Sequence, residues 1–161
     1  MPDIFTKAKR SAVMARIRSR GNQATEMALV RVLRALGITG WRRHMQIRNS
    51  GFGIRNFKVR PDFVFPKLRL ALFVDGCFWH GCPRHGTKPK GNAAFWRKKF
   101  VANQARDRLV TRTLRRAGWR VVRIWEHELA RQRAERLAER LRRAGLAAGA
   151  GRKGATSDGR G

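Results

Sequence analysis

The amino-acid sequence predicts an α/β fold in which a mixed β-sheet is flanked by helices. Two nearly continuous apolar runs, over residues 68–74 and 119–125, are typical of strands that are buried on both faces. Between them, residues 94–117 predict a long helix that ends at Gly118. A strand, a crossover helix and a second strand in this order predict two parallel strands in one sheet.

The first part of the chain adds a helix and two strands. Residues 25–36 carry apolar side chains on one helical face, and Gly37 closes the pattern. Residues 41–47 and 57–65 predict strands, which are separated by a stretch rich in Gly and Asn that is typical of a turn. A second turn, which begins at Pro66, leads into the first buried strand.

The remaining segments divide the chain into an arm, one domain and a tail. Residues 1–23 carry many cations and predict a basic arm that lies on DNA. Residues 24–145 form the predicted domain, which includes an irregular Gly- and Pro-rich segment over 76–93 and an amphipathic helix over 128–144. Residues 146–161, rich in Gly, Ala, Arg and Ser, predict a disordered basic tail.

Positive charge dominates the composition of the 161-residue chain. Lys and Arg number 38 against 10 Asp and Glu, which gives a formal net charge of +28. Such a charge is typical of proteins that bind the phosphate backbone of nucleic acids, whether or not they are catalytic. The 42% of apolar residues excludes a wholly disordered chain. No apolar run reaches the roughly 18–20 residues of a membrane span and no apolar signal core opens the chain, so the sequence predicts a soluble, cytoplasmic protein.

A cluster of cysteine and histidine follows the first buried strand. Cys77, Cys82 and His85 have a spacing that suits three zinc ligands, and tetrahedral zinc needs a fourth. His127 follows the second buried strand, so the ends of two neighbouring strands would bring it within reach. The alternative is that both cysteines are free thiols beside surface histidines. His44 lies in a different strand and is expected to be structural.

Two aspartates lie near the ends of neighbouring strands. Asp62 follows Arg60 and Pro61, and Asp75 ends the next strand. Antiparallel pairing of these strands would bring the two carboxylates together, and because like charges repel, a divalent cation is their natural shared ligand. The alternative is that Asp62 lies in a turn and Asp75 ends a strand, with no ligand between them.

Large aromatic side chains occur in the irregular segment and at the start of the long helix. Phe78 and Trp79 lie in a Gly-flanked loop where no neighbouring element is expected to bury them, and Trp96 opens the helix. Beside a basic surface, such rings can enter the base stack and bend a duplex. Met14, in the N-terminal arm, can act in the same way. The alternative for each side chain is an ordinary place in the core.

One face of the long helix is apolar but contains two polar residues. The residues on this face are Trp96, Phe100, Asn103, Asp107, Val110 and Leu114. A carboxylate on such a face needs a partner. Asp107 either pairs with a nearby Arg or His for structural reasons or orients an imidazole such as that of His80.

Several motifs, in their order along the chain, resemble the very-short-patch mismatch repair endonuclease family. The central run, residues 74–85, reads Val-Asp-Gly-Cys-Phe-Trp-His-Gly-Cys-Pro-Arg-His. The other matching motifs are Arg10-Ser11 with Met14 and Ile17, Glu26, Arg60-Pro61-Asp62-Phe63, Phe95-Trp96, Asn103, Arg106-Asp107-Arg108, Gly118-Trp119-Arg120-Val121 and Trp125-Glu126. The resemblance covers about residues 5–130 and leaves out the C-terminal tail.

The resemblance implies a restriction-endonuclease-like fold and a DNA nicking activity. Members of the family cut one strand 5′ to the thymine of a T:G mismatch, which arises when 5-methylcytosine deaminates. By this resemblance, Asp62 and the backbone carbonyl of Val74 hold a catalytic Mg²⁺, and His80 is the general acid or base. Glu26 and Asp107 support the water network and the imidazole.

The same resemblance assigns the Cys/His cluster, the aromatic residues and the partners. The implied ligands of a structural Zn²⁺ are Cys77, Cys82, His85 and His127. The implied intercalating residues are Phe78, Trp79 and Trp96, with Met14 entering from the other groove. The implied partners are double-stranded DNA with a T:G mismatch and mismatch-repair proteins, and the enzyme is expected to act as a monomer in bacteria, with no membrane partner.

This chain departs from the family pattern at two positions. The family carries a histidine where this chain has Asp75, which leaves Asp75 either as a second metal ligand or as a participant in proton transfer. His127 stands where the family can have a cysteine, and both residue types suit zinc. No Lys follows Asp75 as in the usual nuclease core, so His80 takes over part of that role.

Two other functions fit the same sequence. A related nicking or restriction-type nuclease on the same fold would cut DNA without a mismatch preference. A non-catalytic, zinc-stabilised DNA-binding protein would explain the charge and the Cys/His cluster, but it leaves Asp62, Asp75 and Asp107 without a role.

Overall fold

The computed structural model describes residues 25–49, 57–86 and 89–149 of the chain. In this part, the helices are α1 (Glu26–Ala35), α2 (Ala93–Arg116) and α3 (Ala134–Arg143). The strands are β1 (Arg42–Arg43), β2 (Ile47–Asn49), β3 (Phe57–Val59), β4 (Phe63–Phe65), β5 (Leu70–Asp75) and β6 (Arg120–Trp125). None of these helices is long and apolar enough to cross a membrane.

Four strands form a mixed sheet in the order β1–β4–β5–β6. β4 is antiparallel to both β1 and β5, whereas β5 and β6 are parallel and are connected through α2. Asp75 lies opposite Trp125 in the parallel pair, so β5 and β6 end at the same edge of the sheet. β2 and β3 form a separate antiparallel pair. A mixed sheet flanked by helices is the fold class that the sequence predicts, and that prediction is confirmed.

Alternating side chains of the sheet form two apolar layers. One layer lies between the sheet and helices α1 and α3, and its sheet residues are Phe63, Phe65, Leu70, Leu72 and Ile124. In the other layer, Val64 and Ala71 pack with Leu114 of α2 and with the β2–β3 pair. Leu29 of α1 and Leu114 are almost wholly buried, and full burial of each such side chain contributes about 1.5–3 kcal/mol. The sheet therefore separates α2 from the other two helices.

All three described helices end in the same way. A glycine with positive φ follows each helix cap: Gly37 (64°), Gly118 (80°) and Gly145 (88°). The next residue is apolar and donates its backbone N–H to the carbonyl five residues earlier, in the pairs Ile38–Leu33, Trp119–Leu114 and Leu146–Leu141. In this Schellman arrangement, the chain turns back and the apolar residue packs against the end of its own helix.

Leu146, the first residue of the predicted tail over residues 146–161, belongs to the packed part of the chain. Its side chain is completely buried in the apolar layer below α1 and α3. The Gly149 N–H also donates to the carbonyl of Gly37, at the end of α1. The packed part of the chain therefore extends beyond residue 145, while the rest of the tail and the predicted N-terminal arm lie outside the described residues.

The two strands predicted before the core are each broken in two. The predicted strand over residues 41–47 is interrupted at His44, whose φ of 51° is left-handed, and the two pieces belong to different sheets. The predicted strand over residues 57–65 is interrupted at Arg60 and Pro61. Proline has no N–H for a β-ladder and restricts the residue before it, so the chain leaves one sheet there and enters the other.

The helix predicted over residues 128–144 begins later, at the start of α3. Before it lie two short 3-10 turns, Glu126–Leu129 and Arg131–Arg133. Ala130 between them has an extended backbone, with φ −62° and ψ 140°. The Glu128 side chain accepts the N–H of Trp125 at 2.8 Å, and such a side-chain bond competes with a continuous helix.

Candidate active site and metal centre

The carboxyl ends of β5 and β6 lie side by side and carry the polar residues of the candidate site. Asp75 is the last residue of β5, and His80 lies in the loop that follows. Asp62 immediately precedes β4, the antiparallel neighbour of β5. Asp107, in the middle of α2, contacts His80 from above the loop. The predicted catalytic residues of these three elements therefore meet at one edge of the sheet.

Asp62 is a partly buried carboxylate that contacts the backbone of β5. Its Oδ2 accepts the N–H of Val74 at 2.7 Å. Burial, with smaller contributions from the charges of Glu26 and Asp75, raises the pKa of Asp62 to about 6, although the Val74 N–H and the charge of Arg123 oppose this rise. The surroundings of Asp62 are thus short of positive charge, a condition that a divalent cation relieves.

Asp75, only 6% exposed, is paired with Arg123 of β6. The Nε and Nη2 atoms of Arg123 each lie 2.7 Å from a different oxygen of Asp75, which makes a bidentate ion pair. The guanidinium also lies 4.7 Å from the centre of the Phe73 ring. Burial alone would lower the pKa of Arg123, but Asp75 and Asp107 raise it, so Arg123 stays charged.

His80 lies between two carboxylates. Its Nδ1 atom is 2.5 Å from Asp107 Oδ2 and 3.7 Å from Asp75 Oδ1. Arg123 is a second partner of Asp107, with 3.0 Å from Nη2 to Oδ1. Burial would raise the pKa of Asp107, but the hydrogen bond with His80 and the charges of Arg123 and His80 outweigh burial and hold that pKa below its ordinary value. Asp107 is therefore ionised at neutral pH, and both kinds of partner that the sequence left open are present.

Two amide side chains of α2 hold the loop that carries His80. Asn103 donates to the carbonyl of Trp79 at 2.9 Å, and Gln104 donates to the carbonyl of His80 at 3.4 Å. Gly81 has a φ of 61°, and a Cβ there would lie 2.9 Å from Gln104 Nε2. The loop thus favours glycine at this position, and Asn103 interrupts the apolar face of α2 because its amide bonds to this loop.

A second histidine lies next to Asp62. His44 donates from Nε2 to Glu26 Oε2 at 2.9 Å, and its backbone N–H lies 3.3 Å from the carbonyl of Asp62. Glu26 is 3% exposed and also pairs with Arg43, at 2.8 Å from Nη2 to Oε2. Glu26, His44 and Arg43 therefore form a second polar group that adjoins Asp62, separate from the His80–Asp107 pair.

The acidic site contains one carboxylate that fits a divalent cation. Asp75, His80 and Asp107 offer ligand atoms within 4.8 Å of one another, a spacing that a metal ion can fill. Arg123 already supplies positive charge to both of these carboxylates, so we place no metal among them. The Asp62 side chain forms no ion pair with any residue in the described ranges, so a cation at Asp62 would not compete with an arginine or lysine of this part of the chain.

Two cysteines and two histidines converge beside this site. The residues are Cys77, Cys82, His85 and His127, and their ligand atoms all lie within 4.8 Å of one another. His127 Nδ1 is 3.3 Å from Cys77 Sγ and 3.5 Å from Cys82 Sγ, and Cys82 Sγ is 3.9 Å from His85 Nδ1. Around tetrahedral zinc, with bonds of about 2.0–2.3 Å, neighbouring ligand atoms are separated by roughly 3.3–3.8 Å, so these four side chains fit such an ion.

The register of the sheet and the local electrostatics both suit a metal in the Cys/His cluster. Cys77 and His127 each follow the paired ends of β5 and β6 by two residues, which brings them together. Burial and the nearby Cys82 sulfur raise the pKa of Cys77 more than the backbone N–H of His127 lowers it, a cost that a cation would remove. Burial and the charge of His85 lower the pKa of His127, which favours the neutral imidazole that binds metals.

The aromatic residues of the loop and of α2 pack on one another. The ring centre of Phe78 lies 5.1 Å from Trp79, 5.2 Å from Trp96 and 5.7 Å from Phe100. Trp96 is only 9% exposed, and Phe78 and Trp79 are partly buried. The expectation that no element covers the loop aromatics is therefore wrong, because the first turns of α2 lie against them. Met14 lies outside the described residues.

The sequence predicts no catalytic role for two residues of the site, Arg123 and His44. Arg123 lies within an apolar strand, and an arginine there needs a carboxylate partner, a signal that could have pointed to Asp75. His44 carries no such signal. Its contact with Glu26 depends on the left-handed turn between β1 and β2, which the sequence pattern does not indicate.

Comparisons with known proteins identify the family of this chain. A family model described as DNA mismatch endonuclease Vsr matches residues 2–85. The DNA mismatch endonuclease Vsr of Escherichia coli (strain K12) is 34% identical over 145 residues, which cover 88% of this chain and 86% of that protein. The Type II nicking enzyme V.XorIIP of Xanthomonas oryzae pv. oryzae is 38% identical over 132 residues, 81% of this chain and 88% of that protein. The Type II nicking enzyme V.NaeI of Lentzea aerocolonigenes is 54% identical over 71 residues, which span 44% of this chain and only 43% of that relative.

Proposed function

Because this chain belongs to the DNA mismatch endonuclease Vsr family, we propose that it nicks one strand of duplex DNA 5′ to the thymine of a T:G mismatch. Such mismatches arise when 5-methylcytosine deaminates, and the nick would initiate very-short-patch repair. The observation that carries the proposal is the meeting of Asp62 and the His80–Asp107 pair at one sheet edge, in a chain of net charge +28. The fold is the restriction-endonuclease-like one that the family implies.

In the proposed mechanism, Asp62 and the backbone carbonyl of Val74 hold a Mg²⁺ ion. When bound, the ion polarises the scissile phosphate and stabilises the charge that develops on the leaving oxygen. The raised pKa of Asp62 supports this role, because a carboxylate that is buried without a counter-ion favours cation binding. Glu26, whose charge contributes to that pKa, supports the water network beside Asp62.

In this proposal, His80 is the general acid or base that transfers a proton during hydrolysis. Asp107 engages its Nδ1 atom, so the proton-transfer chemistry falls to Nε2, the other ring nitrogen. The hydrogen bond with Asp107 fixes the plane and tautomer of the imidazole, and it stabilises the imidazolium form after a proton is taken up. Nε2 can accept a proton from the attacking water or deliver one to the leaving oxygen.

Asp75 acts as a positioning residue in this proposal, and neither as a second metal ligand nor in proton transfer. Arg123 occupies both oxygens of Asp75, and a carboxylate in a bidentate ion pair has little charge left to bind Mg²⁺. The same guanidinium forms an ion pair with Asp107, and Asp107 forms a hydrogen bond with His80. Asp75 and Arg123 together therefore fix the position of the carboxylate that orients the imidazole.

We propose that Cys77, Cys82, His85 and His127 hold a structural Zn²⁺. His80 lies between the two cysteines in sequence, so the ion would fix both ends of the short segment that carries the imidazole. Four protein ligands leave no open position for substrate, which is the property of structural rather than catalytic zinc.

The aromatic cluster supplies the mismatch readout in this proposal. Phe78, Trp79 and Trp96 would enter the duplex beside the mismatch, with Met14 inserted from the other groove. Trp96 is buried against its neighbours, so the cluster must open when DNA binds, and stacking on bases then replaces the stacking within the protein. A weakly stacked T:G step opens at a lower cost than a matched step, which gives the preference.

A second candidate is a nicking enzyme on the same fold that has no mismatch preference. The observation in its favour is that several relatives, among them those of Xanthomonas and Lentzea, carry the name Type II nicking enzyme. The two candidates share the chemistry of Asp62 and His80 and differ only in the substrate. Equal nicking of matched and mismatched duplexes would select this second candidate.

The catalytic assignment is tested with substitutions that spare DNA binding. Asp62→Asn and His80→Gln should lower nicking of a T:G duplex in Mg²⁺ by at least about a hundredfold, the lower end of the range for general acid–base groups. Both variants should keep the DNA affinity of the native protein, measured without Mg²⁺ and without a chelator. Arg142→Gln, on the exposed side of α3, is the matched control and should nick normally. Tight binding by the native protein without any Mg²⁺-dependent cutting would point instead to the non-catalytic DNA-binding alternative.

A further inference from the structure

Four arginines of α2 form a stripe that begins beside the candidate active site. The arginine stripe consists of Arg108, Arg112, Arg115 and Arg116, and all four side chains are exposed. Together with Thr111 and Arg123, it lines an open cleft of about 670 Å³ that has Asp107 at one end. The cleft and the candidate active site therefore share Asp107 and Arg123.

The arginine stripe carries positive charge that the described part of the chain does not neutralise. None of its four guanidinium groups forms an ion pair with a carboxylate in residues 25–49, 57–86 or 89–149, whereas other arginines, such as Arg140 and Arg143, do. The carboxylate in the cleft, Asp107, is already bonded to His80 and Arg123. A surface of this kind fits a polyanion that presents several negative groups in a row.

The dimensions of the arginine stripe suit one strand of DNA. Its members recur at spacings of four, three and one residues, so they lie on one side of α2. At about 1.5 Å per residue, the stripe is about 12 Å long. Phosphates follow one strand at about 3.4 Å along the helix axis of B-DNA, so the stripe can face about three or four of them.

The order of features along α2 gives the stripe a direction relative to the cut. Trp96 and Phe100 belong to the aromatic cluster near the start of α2, Asp107 lies in the middle, and the arginine stripe follows. A nick 5′ to the mismatched thymine leaves the mismatch, and the rings that read it, on the 3′ side of the scissile bond. The stripe lies beyond the catalytic centre from those rings, so on a strand that runs along α2 it would face the 5′ side.

We propose that the arginine stripe binds the sugar-phosphate backbone of the cleaved strand on the 5′ side of the nick. The inference rests on the proposed function, since it uses the position of the cut relative to the mismatch. It assigns the stripe to positioning the scissile phosphate against His80 and Asp62, with no reading of bases, because backbone contacts fix register and carry no sequence information.

The test compares two double variants that remove the same charge from opposite faces of the sheet. Arg112→Gln/Arg115→Gln removes two members of the stripe, and Arg34→Gln/Arg142→Gln removes two exposed arginines from α1 and α3. Arg115, Arg34 and Arg142 all lie in the last turn of a helix, so both double variants lose at least one favourable charge at a helix C-terminus. Thermal unfolding confirms that both double variants are folded, and the corresponding single variants are used if either is not.

Affinity for a fluorescent T:G duplex is measured without Mg²⁺ and without a chelator, so that the proposed zinc stays in place, over a range of KCl concentrations. In the stripe variant, the magnitude of the negative slope of log K against log salt should fall by about 1.8, which is 0.9 for each phosphate that the protein no longer neutralises. Binding should also weaken about tenfold at moderate salt. The control variant should leave the slope unchanged. An unchanged slope in the stripe variant, or equally weakened binding in both variants, would overturn the proposal and leave an acidic protein surface as the partner of the stripe.

Shortened duplexes test which side of the cut the stripe contacts. A duplex shortened on the 5′ side of the cut should bind the native protein more weakly, with no further weakening in the stripe variant. A duplex shortened on the 3′ side should still show the full difference between the two proteins. If shortening the 3′ side instead removes the difference between the two proteins, the stripe does not contact the 5′ side. Nicking of the full duplex by the native protein in Mg²⁺ is measured in parallel, so absence of nicking refutes the proposed function, and normal nicking with an unchanged salt slope refutes only the stripe.

Discussion

The guanidinium of Arg123 holds both carboxylate oxygens of Asp75, each at 2.7 Å, at the paired ends of β5 and β6. A carboxylate that is buried at this position needs a cation as its partner. Arg123 supplies it and contacts Asp107 as well. An arginine on the neighbouring strand therefore balances the buried aspartate, and His80 keeps an ordered carboxylate partner.

The Asp75–Arg123 pair should show strong coupling in unfolding experiments. Arg123→Gln leaves a 6% exposed carboxylate without its ion pair, which should lower the free energy of unfolding by about 3–5 kcal/mol. Adding Asp75→Asn to this variant should restore most of that stability, because an amide needs no counter-ion. Urea unfolding of the two single variants and the double variant measures the coupling. Additive effects of the two substitutions would mean that the pair does not act as a unit.

Asp62 should make the metal-free protein less stable as the pH rises. Its pKa is raised from 3.8 to about 6 in the folded state, so folding favours the protonated form, and stability is lost between about pH 4 and pH 6. Above pH 6, Asp62→Asn should exceed the native protein in stability by up to about 3 kcal/mol, and the difference should vanish toward pH 4. Urea unfolding at several pH values without added Mg²⁺ measures this.

Mg²⁺ provides the matching control for the Asp62 prediction. The ion should raise the Tm of the native protein at pH 7.5 and should leave the Tm of Asp62→Asn unchanged, because a ligand stabilises only the form that binds it. Equal stabilisation of both proteins by Mg²⁺ would show that the ion binds elsewhere.

Asp107 should show the opposite dependence on pH. Its pKa is lowered in the folded state, so the carboxylate contributes stability above its ordinary pKa, and this contribution is lost as the pH falls through the lowered value. Asp107→Asn should therefore be less stable than the native protein at pH 7, with a smaller difference at acidic pH. Its nicking rate constant should fall at least about tenfold at unchanged DNA affinity, because the imidazole loses its orienting partner. Native nicking rates in this variant would leave Asp107 with a structural role only.

The Cys/His cluster should contain one metal ion that stabilises the fold. Elemental analysis of protein purified without a metal-affinity tag should find about one zinc per chain, and Cys82→Ser should lose it together with at least about 10 °C of Tm. His127→Cys should keep the zinc, because thiolate and imidazole both suit the ion. A zinc-free native protein with the same Tm in the presence of a chelator would refute the assignment.

The central strands and helix were predictable because each is marked by a pattern of apolar residues within its own segment. The apolar runs that became β5 and β6 and the long helix between them define a parallel pair without any tertiary information. Parallel pairing then places whatever follows the two strands side by side, which is why the meeting of Cys77 with His127 could be anticipated. Asp107 was noticeable as a carboxylate on an apolar helical face.

The remaining features depend on contacts that no local pattern shows. The left-handed backbone of His44 and the extended backbone of Ala130 break predicted elements at residues whose type does not by itself predict those conformations. The burial of Trp96 and the loop aromatics follows from where α2 docks. Leu146, in contrast, could have been predicted, since Ala-Gly-Leu after α3 repeats the Ala-Gly-Trp pattern after α2.

The measurement that tests the central claim most directly is a nicking assay on two end-labelled duplexes that differ only by a T:G mismatch or its C:G match. Each duplex is incubated with Mg²⁺ and, separately, with EDTA, and each strand is labelled in turn. The expected result is a Mg²⁺-dependent cut in the thymine strand alone, 5′ to the mismatched thymine, with little cutting of the matched duplex. Equal cutting of both duplexes, or cutting that persists in EDTA, would contradict the proposed function.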